Sequence, residues 1–166
     1  MVAANYVAYT APINPLMAEK KLSIEHIWPL LQRKIRRAED FVGVTIKSTD
    51  VISQSTTAAG QAVTVREVIF RDGDRRVREE CIEFQPMKVE FRQPDGSKIQ
   101  NIISEGGDGD LYMTYTFEWL HPDLEGNDAG LEHTRQKEAA MAKVAVENTI
   151  IAMREMVGDG RWKEAQ

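Results

Sequence analysis

The chain has 166 residues, 42% of them hydrophobic and 28% charged, with a net charge of −5. These values fit one soluble globular domain with a sizeable core, and the acidic balance argues against nucleic-acid binding, which needs a cationic surface to displace counterions. Its one cysteine, Cys81, allows no intrachain disulfide and points to a reducing compartment, and no stretch reaches the roughly 18 apolar residues of a membrane span, so a cytoplasmic protein without membrane insertion is expected.

Asn5 to Ile13 alternates and carries Tyr6, Val7 and Tyr9, so it reads as a first strand ended by Pro12 and Pro15. Ser23 is the expected N-cap of a helix to about Arg37, with Ile24, Ile27, Leu31, Ile35 and Ala38 on one apolar face. Pro29 lies inside that run, removes one hydrogen bond and predicts either a kink or a later start of the regular helix. Arg33, Lys34, Arg36 and Arg37 read as a solvated helix end that suits the C-terminal dipole.

Strands are expected next at 44–54, 61–71 and 75–85. Asp72-Gly73 signals a tight hairpin between the last two. The runs 88–93 and 98–105 flank Pro94-Asp95-Gly96, whose proline presets a turn and whose glycine tolerates positive φ. In the last strand, 110–120, Leu111, Met113, Tyr115, Phe117 and Trp119 share one face, and Tyr112, Thr114, Thr116 and Glu118 the other. A helix is then expected from about Leu131 to Val157, ended by Gly158 and Gly160. Lys143, Glu147 and Arg154 form its polar stripe, and Met141, Val144, Ala145, Ile151 and Ala152 its apolar face, with Asn148 in the middle.

This order predicts an α+β fold: a seven-stranded curved antiparallel sheet wrapped around a long C-terminal helix. A sheet that wide does not close tightly on one helix, and an internal pocket of roughly 300–1,000 Å³ is the expectation.

No reaction is fixed by a motif. His26, His121 and His133 do not pair with one another or with Cys81 at metal-ligand spacing, so no metal is expected. There is no G-x-S-x-G elbow, and Cys81 reads as a packing residue. No cofactor motif is present either, because Gly106, Gly107 and Gly109 do not lead into a helix. The candidate catalytic residues are therefore polar groups turned into the cavity. Tyr115 is either a core tyrosine or a hydrogen-bond donor and general acid. Glu67 shares a face with Val63, Val65 and Ile69, and Glu79 with Val77 and Cys81. Each is either an inward carboxylate able to shuttle a proton or half of a cross-strand ion pair. Candidate ligand contacts are Arg37, Asn101, Met113, Phe117, Trp119, Met141 and Asn148.

The sequence blocks also carry a resemblance. Arg37-Ala38-Glu39-Asp40-Phe41-Val42, Val65-Arg66-Glu67-Val68-Ile69-Phe70 and Val89-Glu90-Phe91 lead into Pro94-Asp95-Gly96. Asn101-Ile102-Ile103-Ser104-Glu105 follows, and then Gly109-Asp110-Leu111-Tyr112-Met113-Thr114-Tyr115-Thr116-Phe117-Glu118-Trp119. Together they resemble the AtaL-like family of fungal proteins, within the START/polyketide-cyclase-like (SRPBCC) superfamily. The resemblance covers nearly the whole chain. It implies a single START-like ligand-binding domain over residues 1–166 with the helix-grip fold. It also implies a place near fungal specialised-metabolite genes, such as those for epidithiodiketopiperazines. Three functions remain open. The first is recognition of a hydrophobic, carbonyl-bearing small molecule with a cofactor-independent cyclisation, isomerisation or elimination. The second is a non-catalytic carrier of a lipid or pathway intermediate, and the third a partner-binding module. The ligand and the oligomeric state are not legible.

Overall fold

The computed structural model describes residues 1–164. Strand β1 (Ala4–Pro12) is followed by helices α1 (Ile24–Arg36) and α2 (Glu39–Val42). Strands β2 (Ile46–Thr56), β3 (Ala62–Phe70), β4 (Arg76–Phe84), β5 (Lys88–Arg92), β6 (Lys98–Glu105) and β7 (Leu111–Leu120) come next, and then the long helix α3 (Asp128–Gly158). The strands form one antiparallel sheet in the order β1-β7-β6-β5-β4-β3-β2. Each strand from β2 to β7 lies beside its sequence neighbour, and β1 returns to pair with β7 from Ala4↔Leu120 to Pro12↔Tyr112. This is the expected helix grip, with α3 laid along β1 and β7.

Local chemistry sets the element ends. Gly73 and Gly96 adopt positive φ, of 63° and 95°, in the two tight turns where the sequence placed them. Helix α1 runs unbroken through Pro29, which sits in its second turn. Helix α3 starts earlier than expected, because the Asn127 side chain accepts from the Gly130 amide at 3.0 Å and caps the first turn. A polar clamp fixes α3 to the sheet. Asn5 Nδ2 donates to Glu138 Oε2 at 2.7 Å and to the Leu131 carbonyl at 3.2 Å, and His121 Nε2 lies 2.6 Å from Glu138 Oε1.

The core fills the concave side of the sheet. Met113, Tyr115 and Phe117 of β7 are buried there, as the alternation predicts. The helix face that meets them is not the predicted one. Ala142, Val146, Thr149, Ile150 and Met153 point inward, whereas Met141, Val144 and Ile151 are exposed at 45%, 47% and 55%. Residues 141–157 are apolar on several sides, so periodicity leaves the phase of the helix open; packing against β1 and β7 settles it.

The β3 phase differs too. Antiparallel pairing places Arg66 opposite Glu79 and Glu67 opposite Arg78. Arg66 and Glu79 are buried on the concave face, at 4% exposure each. Glu67 lies on the convex face, where it accepts from Arg76 at 2.7 Å. Its apolar companions Val63, Val65 and Ile69 cover the outer side of the sheet, not the cavity side.

Candidate functional site

The concave face carries a buried polar cluster drawn from six elements. The register aligns Tyr9, Tyr115, Asn101 and Val89 across β1, β7, β6 and β5. Arg66 and Glu79 stand beyond them on β3 and β4, and Lys34 enters from α1. Its position follows from helical spacing: residue 34 lies seven after Ile27 and four after Leu30, on the buried face.

Lys34 Nζ donates to Asn101 Oδ1 at 2.7 Å. It lies 4.6 Å from the centre of the Tyr115 ring and 5.4 Å from that of Phe91, a cation–π box when the amine is charged. Burial, and then the neighbouring Arg66 guanidinium, bring its pKa down from 10.5 to about 7. The amine is therefore poised between neutral and charged near physiological pH.

Arg66 closes α1. Its guanidinium donates to the Lys34 and Ile35 carbonyls at 2.8 and 3.0 Å and meets Glu79 Oε1 at 3.5 Å. A cation on the last carbonyls of a helix satisfies orphan acceptors and complements the dipole. Arg66 also stacks on Phe91, at 4.7 Å from the ring centre. Glu79 is thereby held as the counter-ion of Arg66, which is the cross-strand pair foreseen as its alternative role.

Tyr115 is 2% exposed and its hydroxyl donates to Thr149 Oγ1 at 2.9 Å. Burial pushes its pKa above the ordinary value, so it stays a neutral donor. Burial likewise pushes the Cys81 thiol up to about 12, which keeps it protonated and fits a packing role.

Two buried donors in this cluster, Asn101 Nδ2 and Arg66 Nε, have no acceptor among the described residues, and a third, Trp28 Nε1, is in the same position on α1. Buried polar groups are almost always paired. Unmatched donors on one concave surface suit a ligand atom that accepts hydrogen bonds.

Of the sequence candidates, the structure brings together Tyr115, Asn101 and Glu79, with Met113 and Phe117 as apolar walls. Trp119 is half-buried and stacks on Phe117 at 4.5 Å. The remaining four are elsewhere. Glu67 faces outward, and Met141 lies on the exposed side of α3. Asn148 is half-buried beside the inward-facing Thr149. The Arg37 side chain is 59% exposed and pairs with Asp40 at 3.2 Å. Lys34, Arg66 and Thr149 were missed. Charge hid Lys34 and Arg66, although Lys34 fits the apolar helix period and Arg66 alternates with Thr64 and Val68.

The enclosed pocket that was expected is filled. Met113, Val146 and Met153 are fully buried and Lys34 occupies the space against Tyr115. Two hollows open on the surface instead. One, of about 370 Å³, lies on the outer face around Tyr6, Gln100, Thr116 and Glu118. The other, of about 500 Å³, lies between the start of α1 and the ends of β5 and β6, lined by Leu22, Ile24, Met87, Ile103 and Leu111. Ile103 is two residues from Asn101 on the same strand face, although no side chain of the polar cluster itself lines this groove. Among the described residues no group of three His, Cys, Asp or Glu side chains is placed to hold a metal, and no helix is long and apolar enough to cross a membrane.

Residues 7–160 match the family model described as acetylaranotin biosynthesis cluster protein L, AtaL. No curated protein matches the sequence. Among solved structures, the di-domain ARO/CYC protein BexL superposes with a TM-score of 0.61 at 12% identity over 92% of this chain and 49% of its own. The chain thus spans about half the length of BexL. StfQ, a di-domain ARO/CYC protein of the steffimycin biosynthetic pathway, gives 0.59 at 10% identity over 92% of this chain and 52% of its own. Norcoclaurine synthase from Thalictrum flavum, solved with a transition-state analogue, gives 0.53 at 13% identity over 90% and 96% of the two chains. At these identities the likeness establishes the fold.

Proposed function

Because this chain belongs to the AtaL family, we propose that it binds a hydrophobic, carbonyl-bearing small molecule of specialised-metabolite biosynthesis at the concave cluster and promotes a cofactor-independent cyclisation, isomerisation or elimination there. The observation that carries this reading is the set of buried donors without acceptors around Asn101 and Arg66. A carbonyl oxygen satisfies such donors, and Met113, Phe117 and Phe91 surround it with apolar surface. Donors fixed in a dry site and aimed at a carbonyl oxygen stabilise the charge that builds on it during enolisation or addition. The names of the structural neighbours, two ARO/CYC proteins and a synthase, support small-molecule chemistry on this fold. Entry is assigned to the groove at Ile103. The Lys34 side chain, which has a flexible four-carbon stem, moves aside as the ligand arrives.

Two probes with one carbon skeleton test the reading. 4-Phenylbutan-2-one carries a ketone, and n-butylbenzene does not. Calorimetric titration should show the ketone binding about 5-fold more tightly, the effect of one net hydrogen bond of about 1 kcal/mol. Asn101→Leu should abolish the difference. Equal affinity for the two probes, or no binding of either, contradicts the carbonyl reading.

A further inference from the structure

Lys34 is placed differently from an ordinary lysine. Its Nζ sits on the concave side of the sheet between the Tyr115 and Phe91 rings, and among the described residues its one hydrogen bond is to a neutral amide, Asn101. The titratable groups that face it are Arg66 on β3, Glu79 and Cys81 on β4, and Tyr115 on β7. Arg66 engages Glu79 and the end of α1, so no carboxylate hydrogen-bonds the amine. Beside it the Asn101 Nδ2 group has hydrogens but no acceptor. The Lys34 amine thus donates to the oxygen of the same Asn101 amide whose nitrogen is left without an acceptor, which places a nucleophilic nitrogen and a free amide donor side by side.

We propose that Lys34 takes its substrate covalently, as an iminium formed with an aldehyde or ketone. This rests on the reading of the interior as a carbonyl-binding site, and it narrows the substrate class: acids, esters and amides do not form the adduct. The neutral amine attacks the carbonyl carbon, forming the C–N bond as the C=O π pair moves to oxygen. Asn101 Nδ2 donates to that oxygen. Transfer of one proton from nitrogen to oxygen gives the carbinolamine. The nitrogen lone pair then forms C=N⁺ as the hydroxyl leaves with a proton from solvent. One water is released, one proton is consumed, and no oxidant or reductant is needed. The iminium serves as an electron sink for loss of a proton from the adjacent carbon, the step that cyclisations, isomerisations and eliminations next to a carbonyl share. A lowered pKa supports the assignment: burial and the Arg66 guanidinium bring Lys34 down to about 7, so much more of the amine is neutral at pH 7 than in an ordinary lysine.

The test is reductive trapping. The protein is incubated at pH 7 with 4-phenylbutan-2-one and sodium cyanoborohydride, and the modified lysines are mapped by peptide mass spectrometry. The remaining lysines of the same molecule are internal controls, so the result does not depend on a variant that folds. The expected result is alkylation of Lys34 in excess of any other lysine by about 10-fold or more, with no product at that position in Lys34→Arg. Alkylation spread over other lysines and absent from Lys34, while calorimetry still shows the ketone bound, overturns the covalent step and leaves the binding site standing. Absence of ketone binding overturns both.

Discussion

Arg66→Met should destabilise the fold by about 3–5 kcal/mol, measured by urea denaturation at neutral pH, the range for removing one partner of a buried ion pair. The guanidinium is buried and serves two structures at once, the carbonyl end of α1 at Lys34 and Ile35 and the carboxylate of Glu79. Its removal leaves two helix-end carbonyls without donors and an inward carboxylate without a counter-ion. Methionine preserves much of the apolar bulk over Phe91, so lost packing is the smaller part of the effect. Adding Glu79→Met should recover part of the loss, because the unpaired charge is gone while the two carbonyls stay unsatisfied. A loss below about 1 kcal/mol would mean that the pair behaves like an exposed one and that the concave face is open to water.

Stability should also rise as the pH goes from 7 to 9, by about 2 kcal/mol, and then level off. The sign follows from proton counting. Between about 7 and 10.5 an unfolded Lys34 holds a proton that the folded amine lacks. The unfolded state then binds more protons, and each pH unit adds about 1.4 kcal/mol to stability. Its contribution is present at high pH and lost as the pH falls through 7. Cys81 acts oppositely. From 9.0 to about 12 the folded thiol keeps a proton that the unfolded chain has lost, so stability falls through that window. The two slopes cancel between 9 and 10.5. Above that Cys81 prevails, and the raised Tyr115 adds to the fall. Lys34→Met should flatten the rise between 7 and 9, with chemical denaturation at each pH as the measurement. Parallel curves for the two proteins would mean that Lys34 is charged and solvated.

How much of this was readable in advance depends on whether a local pattern had one solution. In β7 it did, because aromatic and apolar residues fill one face and hydroxyl and charged residues the other; Met113, Tyr115 and Phe117 are core as expected. In β3 both faces are apolar enough to be inside, and single-strand alternation favoured the wrong one for Glu67. Cross-strand pairing resolves it, since the residue opposite an inward Glu79 is Arg66. An inward Glu67 and an inward Glu79 were never compatible across the same hairpin. In α3 the long apolar run offered two faces, and the register with the sheet selected Thr149, not Asn148 or Met141. Lys34 illustrates a different obstacle. Its type points to solvent while its spacing points to the core, and the tertiary position of α1 over β3 and β6 decided for spacing.

The central claim is that the concave cluster around Asn101 and Lys34 receives a carbonyl-bearing ligand through the groove at Ile103. The most direct measurement is a titration of ¹⁵N-labelled protein with 4-phenylbutan-2-one, followed through backbone and side-chain amide resonances. The account predicts the largest shifts at the Asn101 side-chain amide and at the backbone amides of Ile103 and Thr149. Shifts confined to the outer groove at Tyr6, Gln100, Thr116 and Glu118, or no shifts at saturating ketone, would contradict it.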